Sequence, residues 1–138
     1  MWSVEHSIET SAPPEAIWRL WTDVPRWPEW NADLGQAELV GEFRSGSTIR
    51  MTSQEGDVVE LQMADAVEPE LFVDEADLGT ATVRTTHRVE RVDAVRVRIV
   101  YQMEIDGPDA DAVGPELGPQ ISADFPDVLK ALAERAER

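Results

Sequence analysis

The sequence predicts an α+β fold in which a curved antiparallel sheet of seven strands wraps around a long C-terminal helix. Two observations carry this prediction. From residue 36 to residue 106, short apolar segments follow one another and are separated by turn residues. The last segment, DFPDVLKALAERAE, instead repeats its apolar residues at helical spacing. A chain of 138 residues fits one domain, so we expect a single unit spanning 1–138.

The first strand is predicted at residues 2–10, WSVEHSIET, because apolar and polar side chains alternate there. Trp2, Val4, His6 and Ile8 share one side of such a strand, and the serines and glutamates share the other. The polar side is expected to face water. His6 is therefore expected to point inward.

Two short helices are predicted after this strand. Pro14 suits the first turn of a helix, and apolar residues follow at Ile17, Leu20 and Trp21 with helical spacing. The pair Thr22-Asp23 suits the start of a second short helix, which Pro28 should limit.

The remaining strands are expected to form an antiparallel meander, because the turns between them are short. These turns are marked by Ser45-Gly46, Glu55-Gly56-Asp57, Glu68-Pro69-Glu70, Leu78-Gly79 and Asp93-Ala94. The Gly- and Pro-rich segment 107–119 is expected to be a loop at the rim of the fold. The terminal helix should then cover the sheet with an apolar stripe made of Ile121, Phe125, Val128, Leu129 and Leu132.

Charge and composition exclude several classes of function. The net charge of -16 would repel nucleic-acid phosphates and anionic lipid headgroups. The absence of cysteine removes thiolate catalysis and Cys-type zinc sites. Apolar runs are too short to span a bilayer, so we expect a cytoplasmic protein with no membrane insertion, present as a monomer or homodimer. No motif announces a cofactor or a metal site.

Four segments together resemble a known superfamily: the alternating first strand, APPEAIWRLWTDVPRWPEW at 12–30, THRVE at 86–90, and the final helix. Their order resembles the START-like, or SRPBCC, helix-grip superfamily, and within it the polyketide cyclase/dehydrase-like branch. The resemblance covers nearly the whole chain. It implies a cavity between the sheet and the C-terminal helix that holds a hydrophobic, aromatic or polyketide-like small molecule.

The apolar lining of that cavity is predicted from strand alternation and from the tryptophan-rich turn. The candidate ligand-binding residues are Trp27, Trp30, Leu61, Met63, Phe72, Thr85, Ile99, Met103 and Phe125. Asp74 and Arg50 are expected to join them only if a strand bulge turns either side chain inward.

The candidate catalytic residues are His87, His6 and Tyr101. The chain has two histidines, and both fall on the projected inner face. In helix-grip proteins the first and sixth strands flank the last one, so the two histidines would flank the strand that carries Tyr101. The resemblance to cyclases makes His87 or His6 a general base, with a pKa that burial adjusts towards neutrality, and Tyr101 a donor to a carbonyl.

Two other classes of function remain open, so enzyme status is undecided. A non-catalytic carrier or sensor would bind the same kind of ligand without turnover. A regulatory module would bind a protein, either through the outer stripe of Arg84, Arg88, Arg96 and Arg98 or through the turn that carries Trp27 and Trp30.

Overall fold

Seven strands form one antiparallel sheet in the computed structural model, which describes residues 1–138. Their order across the sheet is β1-β7-β6-β5-β4-β3-β2. The strand bounds are β1 (Trp2–Thr10), β2 (Leu34–Val40), β3 (Thr48–Ser53), β4 (Val58–Val67), β5 (Leu71–Asp77), β6 (Thr82–Arg91) and β7 (Val97–Asp106). The predicted fold class is confirmed: the sheet and the C-terminal helical segment make a helix-grip arrangement.

Four helical segments complete the fold. They are α1 (Pro14–Thr22), a 3₁₀ helix (Val24–Glu29), α2 (Ala110–Ser122) and α3 (Phe125–Ala136). The segment after α1 takes 3₁₀ geometry, since its two prolines lack the backbone donors that an α-helix would use. No helix is both long enough and apolar enough to cross a bilayer.

β7 lies between β1 and β6, as the family resemblance implied. His6 on β1 is the register partner of Tyr101 on β7, and Tyr101 is in turn the register partner of His87 on β6. The three side chains therefore stand in one row across the sheet, because directly paired residues project from the same face.

The helices leave the middle of the sheet uncovered. α2 and α3 pack on β1 and β7 at one edge, and the 3₁₀ helix packs on β2 at the other edge. α1 contacts α3 and contributes Ile17 and Trp21, which are fully buried. The inner faces of β4, β5 and β6 consequently face a space between the helical elements.

Arginines on the outer face of the sheet form ion pairs with carboxylates on the same face. Arg84 pairs with Glu75 at 2.7 Å, and Arg88 pairs with Glu5 at 3.2 Å. Arg50 also lies on this exposed side, where it binds Glu60 and Glu38 and does not turn inward. Two of the four arginines of the outer stripe, Arg84 and Arg88, thus form ion pairs with carboxylates of the same chain.

The segment 107–119, expected to be a loop, is instead mostly helical, because α2 begins at Ala110. The two glycines of α2, Gly114 and Gly118, lie on its buried side, where a β-carbon at either position would overlap the Trp2 side chain. The Ser122 hydroxyl donates to the Gly118 carbonyl at 2.9 Å and supports the last turn. The sequence analysis placed these glycines in a rim loop, whereas in the structure they let a helix approach an indole closely.

The terminal helix also starts later than its apolar stripe predicted. Ala123 and Asp124 separate α2 from α3, so Ile121 belongs to α2. Ile121 is 38% exposed, whereas Leu129 and Leu132 of α3 are fully buried. The core stripe thus comes from α3, and the end of α2 is left to border the uncovered part of the sheet.

Replacing Gly118 with alanine is expected to destabilise the protein by about 1–3 kcal/mol, because the added methyl group collides with the Trp2 indole. An exposed helical glycine would give the opposite sign, a gain of about 1 kcal/mol. Urea unfolding measures the difference, with Gln120→Ala on the exposed side of α2 as the control. A stabilised Gly118→Ala protein would show that Trp2 does not pack against α2.

Candidate functional site

A cavity of about 380 Å³ occupies the space between the middle strands, the 3₁₀ helix and the C-terminal helices. Fifteen of its 21 lining residues are hydrophobic. A volume above roughly 300 Å³ with an apolar lining and few polar groups is typical of small-molecule sites. The cavity exists because the helices cover the two edges of the sheet and leave β4 to β6 exposed to it.

Most of the candidate site residues lie on the wall of this cavity. Those that line it are Trp27, Trp30, Leu61, Phe72, Thr85, His87, Tyr101 and Phe125. Four others do not line it: His6, Met63, Ile99 and Met103.

The four residues outside the cavity share its side of the sheet but are covered by other side chains. Ile99 and Met103 lie on β7, where α2 and α3 pack, and both are completely buried. Met63 is 2% exposed and belongs to the main hydrophobic core. His6 is half-buried and packs edge-on against the Phe125 ring, with 6.1 Å between ring centres. His87 therefore lines this cavity and His6 does not.

A group of aromatic rings forms the floor of the cavity. The Phe72 and His87 rings stack in parallel, with centres 3.9 Å apart. The Tyr101 ring stands edge-on to His87 at 4.6 Å, and the Trp21 indole donates a 3.1 Å hydrogen bond to the Tyr101 hydroxyl oxygen. The bond is buried and uses Trp21, which is itself completely buried, so it holds the Tyr101 ring in place.

His87 is a neutral imidazole in this environment. Its Nδ1 lies 3.2 Å from the Phe72 carbonyl oxygen, which accepts only, so Nδ1 carries the proton and donates. Burial lowers the pKa of His87 to about 3, away from neutrality rather than towards it as the sequence analysis expected. With its lone pair on Nε2, His87 is a weak base at physiological pH.

Asp74 is the ionisable group that sequence reasoning underrated. It is 5% exposed, lines the cavity, and has one carboxyl oxygen 3.9 Å from His87 Nε2, beyond hydrogen-bond distance. Burial, with a smaller contribution from the charge of Glu75, raises the pKa of Asp74 to about 7. Its carboxyl therefore exchanges a proton near neutral pH.

No bulge was needed to turn Asp74 inward. It lies two residues after Phe72 on β5, and side chains two apart in a strand share a face. The register shift in this region lies on β4 between Met63 and Asp65. Strand alternation from Phe72 was thus a sufficient signal for Asp74.

Two further carboxyls, Asp33 and Asp124, border the cavity, and neither was proposed from the sequence. Partial burial and then the neighbouring carboxyl of Asp33 raise the pKa of Asp124. The Trp30 indole N–H lies close by on the wall and has no hydrogen-bond partner although it is buried. Three carboxyls therefore line a space that no lysine or arginine lines.

Comparison with solved structures finds the same fold at low sequence identity. A norcoclaurine synthase point mutant from Thalictrum flavum, in complex with a transition-state analogue, superposes with a TM-score of 0.76 at 14% identity, covering 97% of this chain and 92% of that one. A START superfamily protein from Mycobacterium smegmatis gives a TM-score of 0.74 at 16% identity, with coverages of 98% and 97%. At these identities the similarity shows the fold alone.

A third neighbour comes from a biosynthetic pathway. The di-domain ARO/CYC protein BexL of the BE-7585A pathway gives a TM-score of 0.72 at 14% identity, and the match covers 99% of this chain and 50% of BexL.

No curated protein matches the chain in sequence. One family model does match it, that of polyketide cyclase / dehydrase and lipid transport proteins, and the match extends over residues 1–137. With nearly every residue matched and the helix-grip fold in place, the chain belongs to the polyketide cyclase / dehydrase and lipid transport family.

Proposed function

We propose that this protein binds a hydrophobic small molecule, aromatic or polyketide-like, in the cavity between the sheet and the C-terminal helices. The observation that carries the proposal is the cavity itself, about 380 Å³ in volume and walled by Trp27, Trp30, Phe72 and Phe125. Flat aromatic walls favour a flat apolar ligand through area burial and ring–ring contact. Family membership supports the same class of ligand.

A cyclase or dehydratase activity is the second candidate, and Asp74 is the observation that favours it. A buried carboxyl with a pKa of about 7 suits removal of a proton from a carbon next to a carbonyl. Burial raises the pKa of Tyr101, so its hydroxyl stays protonated and can donate to the carbonyl oxygen as negative charge develops there. In this mechanism Asp74 takes the role of base that the sequence analysis gave to His87 or His6.

The family also contains lipid transport proteins, so a carrier that releases its ligand unchanged remains the alternative. The two differ in one result. An enzyme converts a ligand co-purified from its own host into a product with a different chromatographic retention, which is lighter by one water if dehydration follows ring closure, whereas a carrier returns the ligand unaltered.

Filling the cavity tests the binding proposal directly. Ala76 lines the cavity, and Ala76→Phe places a ring in the space that the ligand would occupy. The variant is expected to bind the neutral fluorescent probe N-phenyl-1-naphthylamine at least about tenfold more weakly than the unmodified protein. The measurement is a titration followed by probe emission, with energy transfer from Trp27 and Trp30 as a second readout.

The matched control is Ala94→Phe, which adds the same ring at an exposed position in the turn between β6 and β7. This variant should bind the probe as the unmodified protein does. Circular dichroism melts of both variants show whether the fold is retained. Equal probe affinity in a folded Ala76→Phe protein would place the ligand elsewhere and contradict the proposal.

A further inference from the structure

The cavity has a charge character that an apolar ligand alone does not explain. The carboxyls of Asp33, Asp74 and Asp124 line it, and no lysine or arginine does. The other two ionisable groups on the wall, His87 and Tyr101, are held neutral by burial. An anionic ligand would therefore meet three acidic groups and no cation.

Asp74 has no hydrogen-bond donor from the protein, and its carboxyl lines the cavity. It is 95% buried by side-chain and backbone atoms, given its 5% exposure, and no protein group donates to its carboxyl. His87 cannot supply the bond, because its ring proton is used by the Phe72 carbonyl and its Nε2 lies 3.9 Å from the carboxyl. A carboxyl on a cavity wall that accepts no hydrogen bond from the protein is free to accept one from a ligand that brings a donor.

The surrounding rings favour a cation as that donor. Trp27 and Tyr101 line the same cavity as Asp74, and aromatic rings attract ammonium groups. A protonated amine is a donor with a positive charge, and it forms shorter and stronger hydrogen bonds with a carboxylate than a neutral group does.

We propose that the ligand of this cavity carries a protonated amine, which pairs with the Asp74 carboxylate while the aromatic part of the ligand lies against Trp27, Phe72 and Phe125. This inference rests on the proposed function and narrows its ligand class from hydrophobic molecules to aromatic amines. Asp33 and Asp124 add negative potential on the same cavity wall.

The pairing has a defined pH dependence. The titratable groups around Asp74 are Glu75 on its own strand, His87 on β6, Tyr101 on β7, and the Asp33 and Asp124 carboxyls across the cavity. Of these, His87 and Tyr101 stay neutral between pH 5.5 and 8. Because burial raises the pKa of Asp74 to about 7, the amine preference should be larger at pH 8 than at pH 5.5.

Three ligands of matched shape test the inference: 2-(2-naphthyl)ethylamine, which is a cation, 2-(2-naphthyl)ethanol, which is neutral, and 2-naphthylacetate, which is an anion. Their affinities are measured at pH 8 by calorimetry and by quenching of tryptophan fluorescence. The amine is expected to bind on the order of tenfold more tightly than the alcohol, and the acid more weakly than both. Asp74→Asn should bring the amine and the alcohol to equal affinity, while Asp65→Asn, on an exposed part of β4, should keep the preference.

The outcomes separate this inference from the proposed function. If the alcohol binds as well as the amine to the unmodified protein, the cavity binds apolar ligands and the amine inference is overturned. If the amine preference survives in Asp74→Asn, the pairing with Asp74 is overturned. If none of the three ligands binds, and the neutral fluorescent probe also fails to bind, the proposed function itself falls and the inference with it.

Discussion

Asp74→Asn is expected to stabilise the protein against unfolding by about 3 kcal/mol at pH 8 and by about 1 kcal/mol at pH 5.5. The reason is the cost of holding a charged carboxylate in a buried place, which raises the pKa of Asp74 from an ordinary value of 3.8 to about 7. The amide has a similar shape and no charge, so it avoids that cost. Urea unfolding at the two pH values measures both gains.

The sign of the pH dependence follows from where the proton is bound. Below about pH 4 the carboxyl is protonated in both the folded and the unfolded chain, so Asp74 costs the unmodified protein little stability. Between about pH 4 and pH 7 the unfolded chain ionises first, so the stability of the unmodified protein falls as pH rises. Above that range the buried carboxylate destabilises the unmodified protein by roughly 4 kcal/mol. The gain for Asp74→Asn is smaller than this, because burying the asparagine amide also costs free energy.

Asp65→Asn provides the matched control, because it removes the same charge from an exposed position on β4. We expect its stability to stay within about 0.5 kcal/mol of the unmodified protein at both pH values. If the difference in unfolding free energy between Asp74→Asn and the unmodified protein does not increase from pH 5.5 to pH 8, Asp74 has an ordinary pKa. A residue whose removal stabilises the fold and removes amine binding would be one retained for function.

Phe72→Ala is expected to destabilise the protein by about 4 kcal/mol, the range for deleting a buried ring. Phe72 is 1% exposed and contacts the rings of Trp21, Phe43 and His87, so several neighbours lose packing together. Because its ring also forms part of the cavity wall, the deletion enlarges the ligand space instead of leaving a closed void. Equilibrium unfolding in urea measures the loss.

Val58→Ala is the control for this change, since Val58 is 57% exposed and its truncation should cost less than about 0.5 kcal/mol. A loss below about 1.5 kcal/mol for Phe72→Ala would mean that the neighbouring rings close the gap and that the floor of the cavity is not rigid. The same variant should also admit ligands with a bulkier ring system than the unmodified protein accepts.

Much of the fold could be predicted from local patterns. Alternation along residues 2–10 places the first strand at the bounds that the structure gives, and Pro14 marks the start of α1. Turn residues at Gly46, Gly56 and Gly79 separate the strands correctly, since each glycine has a positive φ that other residues rarely adopt. These features depend on backbone preferences and on which side of a strand meets water.

The candidate site was predictable in kind but not residue by residue. Alternation identifies inward side chains, yet both Ile99 and Tyr101 point inward from β7, and only Tyr101 reaches the cavity. What separates them is where α2 and α3 cross the sheet, which no local pattern contains. Asp74 is the reverse case, a residue whose inward direction was available from its spacing to Phe72.

The sequence by itself determined the strands and turns along the chain, the antiparallel meander and the apolar character of the inner face, because these follow from side-chain period and turn chemistry. The tertiary structure decided three things: that 110–122 is a helix, which of the inward residues border the cavity, and how far burial moves the pKa of His87 and of Asp74. All three depend on contacts between segments far apart in the chain. Two such contacts are the packing of Gly118 against Trp2 and the proximity of Asp74 to His87. Both form only when the chain has folded.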